Sequence, residues 1–182
     1  MKCITNNLNF TNTESIQKIA EDNFKNHIVE NTYPGRGIVI GRNQKGCLML
    51  IFWIMGRSIN SRNRLFKFEK GILSTAVANP SLLEDPNLII YNVMRDVGKF
   101  VVVSNGSHTD AICEGLERGK SIFSSLNKQK HEQDEPNYTP RISGLVDNSE
   151  SSIILAKICK SDFSQDQSMH HYHRYTNIPS GY

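Results

Sequence analysis

The feature that most limits the fold is the way apolar runs pair across short turns. Gly37 to Gly41 and Cys47 to Met55 flank Asn43 to Gly46, and Leu88 to Met94 and Lys99 to Val103 flank Asp96-Val97-Gly98. Arg141 to Val146 is followed closely by Ser152 to Ile158. Short apolar runs bounded by Gly, Asn and Asp read as strands joined by hairpins. A parallel neighbour would need a crossover of about a dozen residues or more, usually a helix, and these gaps are too short for one. The pattern predicts an α+β fold with antiparallel sheet rather than a doubly wound parallel one. Neither Gly-x-Gly-x-x-Gly nor a P-loop sequence occurs, so dinucleotide and P-loop readings have no support.

The rest of the chain is arranged around these strands. Residues 1–12 are rich in Asn and Thr and read as loose. Thr13 or Ser15 can cap a helix running to about Ile28, whose apolar residues Ile16, Ile19, Ala20, Phe24 and Ile28 suit core packing. Arg64 to Glu69 and Ile72 to Ala78 read as strands, and Asn79 to Asn87, with two prolines, as a loop. A helix is expected from Asp110 to Leu126, weakened by Gly115 and Gly119. Lys128 to Asn137 reads as charged and flexible, and His170 to Tyr175 as a last strand. At 182 residues and 38% hydrophobic, the chain is expected to form one domain, 1–182, with a buried core. A formal charge of +3 without a long basic run argues against a dedicated nucleic-acid binder and suits a small anionic ligand. The four cysteines stand alone, no signal-like segment opens the chain, and Cys47 to Met55 is too short to span a bilayer as a helix. A cytoplasmic protein without membrane contact is expected.

Chemistry concentrates in a few polar stretches. Ser104-Asn105-Gly106-Ser107-His108-Thr109-Asp110 lies between a strand and a helix, where free N–H groups and the helix dipole favour an anion. The same residues also suit a tight hairpin turn at Asn105-Gly106 with Thr109 as a plain helix cap. Arg36, Arg57, Arg62, Arg64 and Arg141 sit on loops or strand ends beside Gly, Ser58 and Asn63, and a guanidinium matches phosphate oxygens as a fork. Asn92, inside an apolar strand, needs partners and can serve a neighbouring backbone or a ligand carboxamide. Tyr33, Asp110 and Tyr138 are proton-transfer candidates, with capping as the plainer role for Asp110. His170, His171 and His173 lack an identifiable further ligand for a metal and read as surface residues.

The motifs together resemble the archaeal-type IMP cyclohydrolases and their bacterial relatives. Those that match are Tyr33-Pro34-Gly35-Arg36-Gly37-Ile38-Val39-Ile40-Gly41, Gly56-Arg57-Ser58 with Ser61-Arg62-Asn63-Arg64, Tyr91-Asn92 with Arg95, Ser104 to Asp110, and Tyr138-Thr139-Pro140-Arg141-Ile142-Ser143-Gly144. They occur in family order across most of residues 33–146. The resemblance implies a four-layer αββα sandwich like that of the N-terminal-nucleophile hydrolases, but without the N-terminal nucleophile. It implies closure of 5-formamidoimidazole-4-carboxamide ribonucleotide to inosine monophosphate (IMP) in purine biosynthesis, with no cofactor or metal. Arg36, Arg57, Ser58, Asn63, Arg64, Ser104, Asn105, Gly106, Thr109 and Arg141 would bind substrate and phosphate. Tyr33, Asp110, Tyr138 and Asn92 would carry the catalysis. The family pattern continues past Pro179-Ser180-Gly181-Tyr182 into a further strand, so the chain is expected to be truncated there. A non-catalytic purine-nucleotide-binding module and an amidohydrolase are the alternatives, and a homo-oligomer is left open.

Overall fold

A computed structural model describes residues 13–181. The Asn- and Thr-rich start, with Cys3, lies outside the described residues. The chain divides into two compact units between Pro34 and Gly35. The first holds α1 (Thr13–Phe24), continued by a π-helical turn, Lys25–Val29. Of the stripe expected to pack in a core, Ile19 and Phe24 are 49% and 61% exposed.

The second unit is α+β with antiparallel sheet. The strands are β1 (Arg36–Arg42), β2 (Leu48–Ile54), β3 (Arg64–Glu69), β4 (Ile72–Val77), β5 (Asn92–Val97), β6 (Phe100–Ser104), β7 (Arg141–Asp147), β8 (Ser152–Lys160) and β9 (Ser168–Thr176). β1 and β2 form a hairpin sheet, and β3 to β9 form a seven-stranded sheet in sequence order, every pair antiparallel. The helices are α2 (Ile59–Arg62), α3 (Pro86–Ile89), α4 (His108–Glu117) and α5 (Ile122–Leu126).

Strand alternation builds two cores from one sheet. On one face Val102, Leu145, Ala156 and Ile158 meet Ile112 and Cys113 of α4 and Ile122 and Leu126 of α5. On the other, Tyr91, Val93 and Val103 meet Ile38, Ile40, Leu50, Phe52 and Ile54 of the hairpin sheet. Gly144 of β7 makes the second contact close: a Cβ there would stand 2.5 Å from Ile40 Cδ1.

Three expectations need correction. The helix expected over 110–126 is two helices. Gly119 takes φ +73°, its N–H reaches Leu116 O at 2.9 Å, and Lys120 N–H reaches Gly115 O at 2.8 Å. This is a Schellman stop, and it outweighs the apolar periodicity. The strand expected from Leu88 begins only at Asn92, because Asp85 caps a short helix with Pro86 at its first turn. The charged stretch 128–137 is anchored: His131 is buried, with its backbone N–H on Ser168 Oγ at 3.2 Å, and Glu132 is paired with Arg36.

Candidate active site

The two ends of the large sheet differ. At one, β3–β4, β5–β6 and β7–β8 are joined by tight turns. At the other lie the longer connections 55–63, 78–91, 105–140 and 161–167. Antiparallel order brings the first residues of β3, β5 and β7 and the last of β6 to this second end. Arg64, Asn92, Arg141 and Ser104 are those residues, so motifs far apart in sequence share one rim of a rigid scaffold.

The turn after β6 is a strand-to-helix turn, not a hairpin. Ser107 occupies the N-cap position but its side chain does not cap the helix, and Thr109, inside the first turn, donates back to Gly106 O at 3.1 Å. Ser104 is buried, and its hydroxyl pairs with that of Thr109. Asn105 grips the start of β7. Its Nδ2 donates to Pro140 O at 3.1 Å, its Oδ1 accepts from Ile142 N–H at 2.8 Å, and its own N–H donates to Ile142 O at 3.2 Å. Gly106 does not take a positive φ. Its need for a bare Cα is one of space, since a Cβ would lie 3.2 Å from Arg141 Nη1 and 3.3 Å from His108 Nδ1.

A basic group with one acid sits beside this turn. Arg36 Nη1 donates to Glu132 Oε1 at 2.9 Å, with side chains only 22% and 16% exposed. Arg64 anchors its Nε on Ser61 O at 2.7 Å and its Nη1 on Tyr91 Oη at 3.3 Å. The Tyr91 phenol is raised by burial, against the pull of Arg64 and Arg36. Burial also raises Glu132, although Arg36 and Arg141 oppose it, and lowers Arg141, whose charge is further disfavoured by Arg36. A cleft of about 450 Å³ opens beside Arg64, walled by Ile54, Met55, Leu65 and Phe66.

Asp110 and Asn92 lie elsewhere, on the helix face. Leu73 pairs with Met94 and Ser74 with Asn92, so β5 carries one extra residue, Val93, against β4. In an unbroken strand Asn92 and Arg95 would point to opposite faces. The bulge turns both toward α4, where Asn92 Nδ2 and Arg95 Nη1 donate to Asp110 Oδ1 at 2.9 and 2.8 Å. Arg95 also lies 3.6 Å from Glu117.

The other predicted residues are engaged as follows. Asn63 is buried, with its amide bonded on both sides to the Asn79 backbone at 2.7 Å. Ser58 caps α2 by accepting from Ser61 N–H at 3.0 Å. Arg57 pairs with Asn137, and Arg62 Nε donates to Gly56 O at 3.0 Å. Tyr138 is half-buried and donates to Glu135, and that bond pushes its phenol up to about 12. Tyr33 belongs to the first unit, where its N–H donates to Asn31 Oδ1 at 2.9 Å. Glu132 and His108 were not singled out as site residues by sequence reasoning. Glu132 sits in a stretch whose charge density looked like solvated coil, and His108 beside a turn where only the glycine and the cap attract notice.

Among the described residues no group of His, Cys, Asp and Glu is arranged to hold a metal. No described helix is long and apolar enough to cross a membrane.

Arg36, Arg64, Arg141 and the strand-to-helix turn all fall within the motifs that carry the family resemblance. A model of IMP cyclohydrolase-like proteins matches residues 33–177. The chain belongs to this family. It is 29% identical over 119 residues to the IMP cyclohydrolase of Methanopyrus kandleri, covering 63% of this chain and 59% of that one. To the Methanocaldococcus jannaschii IMP cyclohydrolase it is 30% identical over 120 residues, covering 65% and 58%. To that of Methanosphaera stadtmanae it is 32% identical over 119 residues, covering 63% and 57%. The chain thus spans a little under three fifths of these relatives' length.

Proposed function

We propose that this protein closes 5-formamidoimidazole-4-carboxamide ribonucleotide to IMP, as a cytoplasmic enzyme of purine biosynthesis. The observation that carries the reading is the gathering of Arg36, Arg64 and Arg141 around Glu132 and Tyr91 at the long-loop end of the sheet. In the reaction the carboxamide nitrogen attacks the formyl carbon. The formyl oxygen then leaves as water, taking one proton from each of the two nitrogens that flank the new ring carbon. Both partners sit on one imidazole ring, so holding the formamide in its closing rotamer supplies much of the acceleration. Arginines and turn N–H groups aimed at the developing oxyanion supply more.

Within this reading Arg36, Arg64 and Arg141 bind the nucleotide, with the turn at Asn105-Gly106 beside them. Arg57 and Ser58 extend the rim, while Asn63, Ser104 and Thr109 hold its backbone. Glu132, with its carboxyl raised by burial, is the group best suited to move protons. Tyr33 and Tyr138 act as phenolic donors. Asp110 and Asn92 act through the placement of α4 and β5. The fold we infer is the four-layer αββα sandwich, with α4 and α5, the seven-stranded sheet and the hairpin sheet as three of its layers.

Ultraviolet absorbance on mixing the protein with the formamido ribonucleotide tests the proposal against an enzyme-free control. Faster closure than the control is expected, lost in Arg36→Ala and Glu132→Gln. IMP-induced thermal stabilisation without any turnover would refute the enzyme and leave a nucleotide-binding module.

A further inference from the structure

His108 lies at the centre of the turn and is 0% exposed. Its Nε2 is 3.1 Å from Ile142 O, and its Nδ1 is 3.2 Å from Arg141 Nη1. A carbonyl only accepts, so Nε2 carries the proton and donates. Arg141 only donates, so Nδ1 is bare and accepts. The two neighbours therefore fix a single neutral tautomer. Protonation would set an imidazolium against a guanidinium, and burial together with Arg141 lowers the ring to about 3.

The surrounding bonds share one purpose. Asn105 ties down Pro140 and Ile142 on either side of Arg141, and Gly106 leaves open the space in which the Arg141–His108 pair meets. Ser107 Oγ stands 3.5 Å from Arg141 Nη1. Arg141 Nε is buried and has no hydrogen-bond partner among the described residues. The guanidinium is thus oriented by acceptors that carry no charge, and one of its donors is left over. A carboxylate in the place of His108 would orient it as well, but would cancel the charge that an anion needs.

We propose that His108 is the positioning residue for Arg141: its bare Nδ1 fixes the guanidinium toward an anionic group of the ligand while leaving the positive charge whole. The proposal deepens the ring-closure reading and rests on it for the ligand. Two near-isosteres separate the two bonds of the ring. His108→Gln keeps a donor near the Nε2 position and loses the acceptor. His108→Asn keeps an acceptor near the Nδ1 position and loses the donor to Ile142.

Both variants, with wild type, are compared in closure kinetics, in IMP binding by calorimetry, in thermal melting and in the arginine side-chain signals of nitrogen NMR. His108→Gln is expected to melt close to wild type, to weaken IMP binding and raise KM by about 10-fold to 10²-fold, the range for loss of one charge-assisted contact, and to lose the restricted Arg141 signal. His108→Asn is expected to melt earlier, yet to recover most of the IMP affinity and the Arg141 signal. Equal binding by His108→Gln and wild type overturns the proposal, as do losses in the two variants that simply follow their melting temperatures. Should wild type itself neither close the ribonucleotide nor bind IMP, the ring-closure reading fails by itself. The NMR comparison then still decides whether His108 positions Arg141.

Discussion

A buried neutral histidine makes the fold sensitive to acid in a calculable way. His108 falls from 6.5 in the unfolded chain to about 3 in the fold, chiefly through burial. Its folded value is the lower one, so on acidification the unfolded chain takes up the proton first. The stabilising contribution is therefore complete above 6.5 and is lost progressively as pH falls from 6.5 toward 3. Linkage with these two values gives a loss of about 2 kcal/mol at pH 5 and about 3 kcal/mol at pH 4. The assay is urea unfolding at pH 7 and pH 5 for wild type and His108→Gln. With a denaturant slope of roughly 2 kcal/mol/M, the wild-type midpoint should fall about 1 M further than that of the variant. Subtracting the variant removes the other titrating groups. Parallel acid profiles for the two proteins would refute the reasoning: the ring would then be equally protonatable in both states, and its neutral contact with Arg141 would go with it.

Other outcomes follow from the same geometry. Arg36→Ala leaves the Glu132 carboxylate buried without its partner and should cost about 3 kcal/mol in chemical unfolding at pH 7, less at pH 4 where the acid is neutral. Gly106→Ala should leave the melting temperature within a few degrees of wild type but weaken IMP-induced stabilisation, because the new methyl presses on Arg141 Nη1 and His108 Nδ1. Asp110→Asn should lower stability by about 1.5–3 kcal/mol through the weakened Arg95 bond. It should leave turnover within about tenfold of wild type. A fall of 10²–10⁴ without loss of stability would instead mark Asp110 as a base.

Pattern carried the architecture because hairpin spacing and strand alternation are local. The pairs 37–41 with 47–55 and 141–146 with 152–158 needed only turn residues and apolar runs, and each is an antiparallel pair in the structure, while the third expected hairpin exists with its first strand shifted to Asn92–Val97. The Gly119 stop and the start of β5 were missed because a capping residue or a left-handed glycine decides them against a wider apolar trend. The site was legible as a set of arginines and one turn, but not as a set of contacts. Asn92 and Arg95 look wrong for a shared partner, three positions apart on a strand, until the Val93 bulge restores their common face. Glu132 could not be read at all, since its pairing with Arg36 depends on where a long connection returns to the sheet.

Sheet sidedness then separates two groups that sequence alone merges into one pocket. Asp110 with Asn92 and Arg95 stands on the helix face, while Tyr91 and Val103 face the hairpin sheet and Arg64 reaches Tyr91 there. The acid of the first group is held by Arg95, so it contributes little free charge to a ligand. The second group is different. Three guanidinium groups, Arg36, Arg64 and Arg141, stand with one carboxylate, Glu132, an excess of two positive charges when all are ionised. A phosphate monoester carries about −1.5 to −2 near neutrality, which matches that excess. Burial lowers Arg141, and repulsion from Arg36 adds to it; an anionic ligand would ease that repulsion. Affinity for IMP should therefore fall when Glu132 is replaced by arginine-matching bulk without charge only if the carboxylate orients Arg36. If Glu132 serves solely to offset charge, Glu132→Gln should bind IMP more tightly than wild type and leave turnover in the reverse direction unchanged. Calorimetric titration of Glu132→Gln with IMP separates the two roles, and tighter binding with slower turnover is the outcome expected of a proton-transfer carboxylate among cations.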